Sequence, residues 1–139
     1  MYQKLLFATD LSKPQHDLCA QAVKIAKHFD SSLYLLHVYD IPTSTQYAAA
    51  LGFAEFTSPP TEDIKAVLNT LAKEFDIDDA HQIIKTGSAK KIIPQVAKDL
   101  AIDMILLGNH YDSTKQHLFS TVTQSVIHES NCDVVILKA

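Results

Sequence analysis

Short runs of almost unbroken apolar residues constrain this chain most: Lys4 to Ala8, Leu33 to Tyr39, Met104 to Leu107 and Val134 to Leu137. A strand with one wet face alternates polar and apolar residues. These runs do not alternate, so each predicts a strand covered on both faces. The cover has to come from the segments between them, and those carry apolar residues at helical spacing.

The first helix is announced by Ser12 and Gln15, three residues apart as in a capping box, with Pro14 in the first turn. Its apolar face is Leu18, Cys19, Ala22, Ile25, Ala26 and Phe29. A second helix begins near Thr61, with Glu62 and Asp63 placed to favour its dipole, and carries Ile64, Val67, Leu68, Leu71 and Phe75. His81 to Lys85 is the remaining strand. Thr86, Gly87 and Ser88 supply a turn and a cap for a third helix with Ile92, Ile93, Val96, Ala97 and Leu100 on one face and a kink expected at Pro94. A fourth helix opens near Ser120 and Thr121, its face made by Leu118, Phe119, Val122, Val126 and Ile127. Strand and helix alternate throughout. That order implies a three-layer α/β domain with right-handed crossovers around an open parallel sheet. At 139 residues the chain is read as one domain, 1–139.

In such a sheet, ligands sit off the carboxyl ends of the strands. Met104 to Leu107, followed by Gly108, Asn109, His110 and Tyr111 and then a helix, is therefore a candidate anion-binding corner. It is short of glycine. Gly108 is the only glycine after Gly87, so close backbone approach to a phosphate is available at one point.

Charge and composition exclude several classes of function. A formal net charge of -4, with Lys13, Lys24, Lys27, Lys73 and Lys98 forming no basic stripe in sequence, argues against a nucleic-acid partner. No apolar stretch is long enough to span a bilayer, and Leu5 to Ala8 is too short for a signal-peptide core, so cytoplasmic residence is the expectation. Cys19 and Cys132 fit neither a Cys-x-x-Cys pair nor a zinc knuckle, and none of the seven histidines has His-x3-His spacing. No metal is expected.

The stretch from Asp40 through Pro60 does not fit the alternation. It holds Tyr47, Phe53 and Phe56, and Glu55 is its only charge after Asp40. A connection this long is a lid, a binding loop or a disordered excursion. Its aromatics mark it as a candidate contact for a protein partner; alternatively, Ala48 to Phe56 forms a short helix packed on its own domain.

Strand ends decide among the α/β families that share this order. A receiver domain needs an acidic pair after the first strand, but Asp10 stands alone. Flavodoxin-like phosphate wrapping is not offered by Lys13, Pro14 and Gln15, and neither Ser-Gly-Gly nor His-x-Gly-His occurs. The stretch Lys4-Leu5-Leu6-Phe7-Ala8-Thr9-Asp10-Leu11-Ser12, the His37-Val38 strand end, Gly87-Ser88-Ala89, and Asp103 through His110 resemble the universal stress protein family. So do Ser120 through Ile127 and Cys132 through Leu137. The resemblance covers essentially the whole chain. It implies a Rossmann-like, five-stranded parallel sheet in the order 3-2-1-4-5, the fold of the adenine nucleotide alpha hydrolase-like proteins.

The family's ATP-binding branch carries Gly-x2-Gly-x9-Gly-(Ser/Thr) after the fourth strand. This chain keeps Gly108 and Thr121, but has Tyr111 and Ser120 at the other two glycine positions and a spacer one residue short. It resembles the founding branch, which does not bind ATP. The resemblance places Asp10, Val38, Gly108, Ser120 and Thr121 around a vestigial or weak nucleotide or anion site. From the residues alone, Asp10 reads first as a turn residue accepting backbone N–H bonds, and Ser120 and Thr121 also read as helix caps or first-turn hydroxyls. His110 has no nucleophile to serve as a base for, and His37 reads as a hydrogen-bonded, semi-buried residue.

Two functions follow. One is a dimeric stress-response protein without enzymatic chemistry or cofactor, acting through protein contacts. The other is a regulator that binds ATP with Mg, with slow hydrolysis at most. In the inferred order the last strand is an edge, and Val134, Val135, Ile136 and Leu137 carry no charge or proline to block pairing with a second copy.

Overall fold

The apolar runs form a five-stranded sheet in the computed structural model, which describes residues 2–11, 15–39, 50–52, 61–108 and 116–138, with backbone alone at 61 and 116–121. Strands β1 (Lys4–Ala8), β2 (Ser32–Tyr39), β3 (Gln82–Thr86), β4 (Met104–Gly108) and β5 (Asp133–Leu137) are all parallel, in the order β3-β2-β1-β4-β5. The order implied by the family resemblance is the one observed.

Successive side chains of a strand point to opposite faces, and here both faces are dry. Leu5 and Phe7 of β1 enter a core with Leu18, Cys19 and Ala22 of helix α1 (Gln15–His28) and Leu68 and Ala72 of α2 (Thr61–Glu74). Leu6 and Ala8 enter a second core with Ile93, Val96 and Ala97 of α3 (Ala89–Asp99) and Val126 of α4 (Gln116–Glu129). Among the described residues, two helices therefore cover each face. The edge strands β3 and β5 are only half covered, with Val134, Val135 and Ile136 partly exposed.

Several sequence expectations shift in detail. The third strand runs Gln82–Thr86 rather than from His81, because His81 closes a short 3-10 turn, Asp79–His81. There its Nδ1–H donates to the Leu33 carbonyl at 3.1 Å and its ring stacks on Tyr34, centroids 4.1 Å apart. Phe29, Val67 and Ile127, expected on apolar helix faces, are 38%, 51% and 50% exposed; Val67 and Ile127 sit on the flank of their stripes, and Phe29 lies just past the end of α1. Pro94 is the sixth residue of α3, which continues past it without a break.

The helices α1, α2 and α3 leave the sheet's amino end by one device. In each, the second residue past the end takes a left-handed backbone: Asp30 at φ 55°, Asp76 at 56° and Ala101 at 55°. The following N–H then reaches back five residues, Ser31 to Ala26 at 2.8 Å, Ile77 to Ala72 at 2.9 Å and Ile102 to Ala97 at 2.8 Å. These are Schellman closures, normally built on glycine. Ala101 is exposed, so its methyl contributes strain without packing. Ala101→Gly is expected to stabilise the protein by about 1 kcal/mol, less the smaller cost of freeing the unfolded chain. In thermal unfolding that is a rise of roughly 3 °C.

Asp103 ties β1 to β4 at the same end. One carboxylate oxygen accepts the N–H groups of Lys4 at 2.9 Å and Gln3 at 2.8 Å. These bonds, that of Lys4 first, hold its carboxyl below the ordinary 3.8. A depressed folded-state value contributes stability that is present above the ordinary value and lost as pH falls through the depressed one. Asp103→Asn is therefore expected to lower Tm at neutral pH, with the deficit closing as acid protonates the wild-type carboxyl. A deficit unchanged down to the acid transition would refute this origin.

Candidate functional site

Three adjacent strands, β2, β1 and β4, bring their carboxyl ends to one edge of the sheet, with α1 leaving on one face and α4 on the other. The switch in direction between β1 and β4 opens the crevice in which open α/β sheets hold ligands.

The β1–α1 turn is organised by Thr9, a residue the sequence reading passes over. Thr9 and Gln15 are buried polar side chains, each 4% exposed. The Thr9 hydroxyl donates to Gln15 Oε1 and accepts the Leu11 N–H at 3.0 Å. The Thr9 N–H continues the ladder to the Leu36 carbonyl at 2.8 Å, and its carbonyl meets His37 Nδ1 at 2.9 Å. A carbonyl only accepts, so Nδ1 carries a proton in this contact. This network holds Leu11 at φ 60°, a left-handed position unfavourable for a leucine. Asp10 stands exposed between Thr9 and Leu11. Ser12 lies outside the described residues, and Gln15, its expected capping partner, is engaged by Thr9. The sequence signal for Thr9 is a small hydroxyl residue directly after a buried strand, where it serves as a local turn former.

Val38 is half-buried near the end of β2 and packs against the second core. The register Ala8 to Leu36 and Ala8 to Leu107 places Asp10, Val38 and Gly108 at the same end of three neighbouring strands. Gly108 is buried and lies opposite Leu137. Beside them, Gly87 takes φ 140°, its N–H donating to Tyr39 at 2.8 Å, and an added Cβ would come within 2.8 Å of Ile92 Cδ1. Ser88 occupies the cap position of α3, but its hydroxyl makes no capping bond.

Ser120 and Thr121 require a correction. Helix α4 begins at Gln116, so they are its fifth and sixth residues rather than its opening. Leu118 and Phe119 belong to the same apolar repeat as Val122 and Val126, and that repeat carries the helix a full turn earlier. In an α-helix, amides from the fifth residue on are bonded within the helix. Neither residue is a cap or supplies a free first-turn N–H. His110 and Tyr111, like most of the stretch 40–60, lie outside the described residues.

Burial first and Glu74 second push the Cys19 thiol up to about 12. Burial also raises Cys132. Among the described residues no helix is long and apolar enough to cross a membrane.

The sequence profile of the universal stress protein family matches residues 1–138. The chain belongs to that family. It is 32% identical to universal stress protein A homolog 2 of Coxiella burnetii, the match covering 99% of this chain and 95% of that protein. It is 30% identical to universal stress protein MJ0577 of Methanocaldococcus jannaschii, over 99% and 96%. The solved structure of MJ0577 superposes with a TM-score of 0.74, covering 100% of this chain and 97% of that one at 27% identity. A universal stress protein solved in complex with cAMP has a TM-score of 0.68 at 21% identity, over 99% and 97%, and shares the fold.

Proposed function

We propose that this chain is a homodimeric, cytoplasmic stress-response protein that acts through protein contacts, is not an enzyme, and carries a degenerate nucleotide loop. The stretch from Gly108 to Thr121 carries this reading. Tyr111 and Ser120 stand at two of three glycine positions, and the spacer between them is one residue short. The helix that follows starts before Ser120, so its open amides belong to Gln116, His117, Leu118 and Phe119 instead. A side chain at 111 obstructs the backbone approach a triphosphate needs.

Asp10, Val38 and Gly108 still surround the crevice, and the α4 N-terminus still attracts anions. That attraction is worth about 0.3 to 1 kcal/mol at an exposed end, whereas a micromolar complex requires about 8 kcal/mol. Calorimetric titration with Mg-ATP is expected to show no saturation below about 1 mM. A low-micromolar constant near one site per chain would overturn the reading.

A second reading, adenine-nucleotide binding, draws on the relative solved with cAMP. Titration with cAMP beside Mg-ATP separates the two, because cAMP carries one phosphate and asks less of the loop.

A further inference from the structure

Helix α3 carries a cluster of cations that neither the fold nor the nucleotide loop uses. Lys90, Lys91 and Lys98 line a cleft of about 660 Å³ between α3 and the end of α4, with Gln95, Ser125 and Glu129 among its other walls. The described ion pairs involve His16 alone, so none of the three lysines has a carboxylate within 4.0 Å among the described residues. Asp99, the acid of α3, has an oxygen accepting from Gln95 Nε2 at 2.9 Å. On a chain of net charge -4, this cleft has the opposite sign.

The placement of two of these lysines works against the helix. Lys90 and Lys91 are the second and third residues of α3, whose first turn contains no acid. Cations there oppose the dipole. Ser88 at the cap position and a Glu at 91 would complete a capping box, and the chain has Lys91 instead. Local rules of this kind are broken at functional or strained sites.

We propose that the α3–α4 cleft docks an acidic segment of a partner protein. Lys90 and Lys98 are eight residues apart, about 12 Å along the helix, which suits several carboxylates in series better than one compact anion. Gln95 and Ser125 offer hydrogen bonds to a peptide backbone between them. No aromatic side chain is among the described lining residues, so nucleic-acid bases have nothing there to stack on. The proposal rests on the reading of this protein as one that works through protein contacts, and it names the surface and the partner's chemistry.

The probe is a fluorescent hexaglutamate peptide, followed by anisotropy at low and physiological salt. Lys90→Glu with Lys91→Glu is compared with Lys24→Glu and Lys27→Glu, an equal charge change on α1, which covers the opposite face. The α3 pair is expected to weaken binding at least about tenfold and the α1 pair less than about twofold. The α3 variant is also expected to melt no lower than the wild type, because acids in the first turn match the helix dipole, so lost binding cannot be ascribed to unfolding. Equal losses in both variants, or no binding at low salt, would overturn the proposal. So would tighter binding of an equally charged single-stranded oligonucleotide through the same lysines. Tight Mg-ATP binding by calorimetry would instead overturn the functional reading and leave this comparison untouched.

Discussion

Ile136→Lys is expected to run as a monomer in light scattering at concentrations where the wild type runs as a dimer. Strand β5 is a sheet edge, and Val134, Val135 and Ile136 are half-exposed on it, with no lysine or proline to discourage pairing. A two-fold axis would set β5 antiparallel to its copy and satisfy both edges with one self-complementary contact. Ile127, 50% exposed, extends the apolar surface. On α4, Ser125 and Glu129 face the cleft with α3 and Val126 faces the sheet, which leaves Ile127 on the flank toward β5.

An isologous contact repeats every substitution, so one lysine introduces two unpaired ammonium groups into the same interface. Leaving a charge uncompensated in a dry contact costs about 3 kcal/mol or more, a shift of at least roughly a hundredfold in the dimer constant. Ile136 also packs on the second core, so Tm and circular dichroism have to accompany the sizing. Ile127→Glu is the cleaner companion, since half of its side chain is already in water, and it should weaken the dimer with little effect on monomer stability. A wild type that is monomeric at micromolar concentration, or an Ile136→Lys variant that dimerises unchanged, would refute the interface.

The sheet is legible in the sequence because burial on both faces removes the polar alternation. A run such as Met104 to Leu107 leaves nothing but a central strand. Helix interiors are legible for the matching reason, one apolar stripe each. Stripe flanks are not: Val67 and Ile127 keep helical spacing with buried neighbours yet stand half in water, because a sheet covers only the middle of the stripe.

The site is harder to read. Thr9 matters through a hydroxyl bond to Gln15 and a carbonyl bond to His37, and the His37 partnership joins residues 28 apart, beyond any local pattern. A helix opening near Ser120 and Thr121 is the sequence expectation, whereas the apolar repeat containing Leu118 and Phe119 carries the helix back to Gln116. Lys90 and Lys91 escape notice for a similar reason. Their link to Lys98 is one of helix length, and the wall that makes them a cleft comes from α4.

If lost glycines are what disables the loop, restoring them should restore binding. A variant with Tyr111→Gly, Ser120→Gly and one residue inserted between them is expected to bind Mg-ATP measurably where the wild type does not saturate below about 1 mM. Asp10, Val38 and Gly108 already stand at the ends of β1, β2 and β4. The change at 120 does the most, because that position lies a turn inside α4, and a glycine there has to move the helix opening to Thr121 before its amides can face a phosphate. That move has a cost. Glycine inside a helix is worse than alanine by about 1 kcal/mol, and giving up the first turn forfeits the intrahelical hydrogen bonds that turn makes. The variant should therefore melt earlier in the absence of nucleotide and recover part of the loss in its presence, since a ligand that binds only the folded state stabilises it. Ser120→Gly alone isolates the helix cost and should destabilise without conferring binding. If the fully repaired loop leaves a folded dimer that ignores ATP at millimolar concentration, glycine loss is not the limiting defect. Attention would then pass to the β1–α1 turn, where Thr9 and His37 hold Leu11 in its left-handed position beside the crevice.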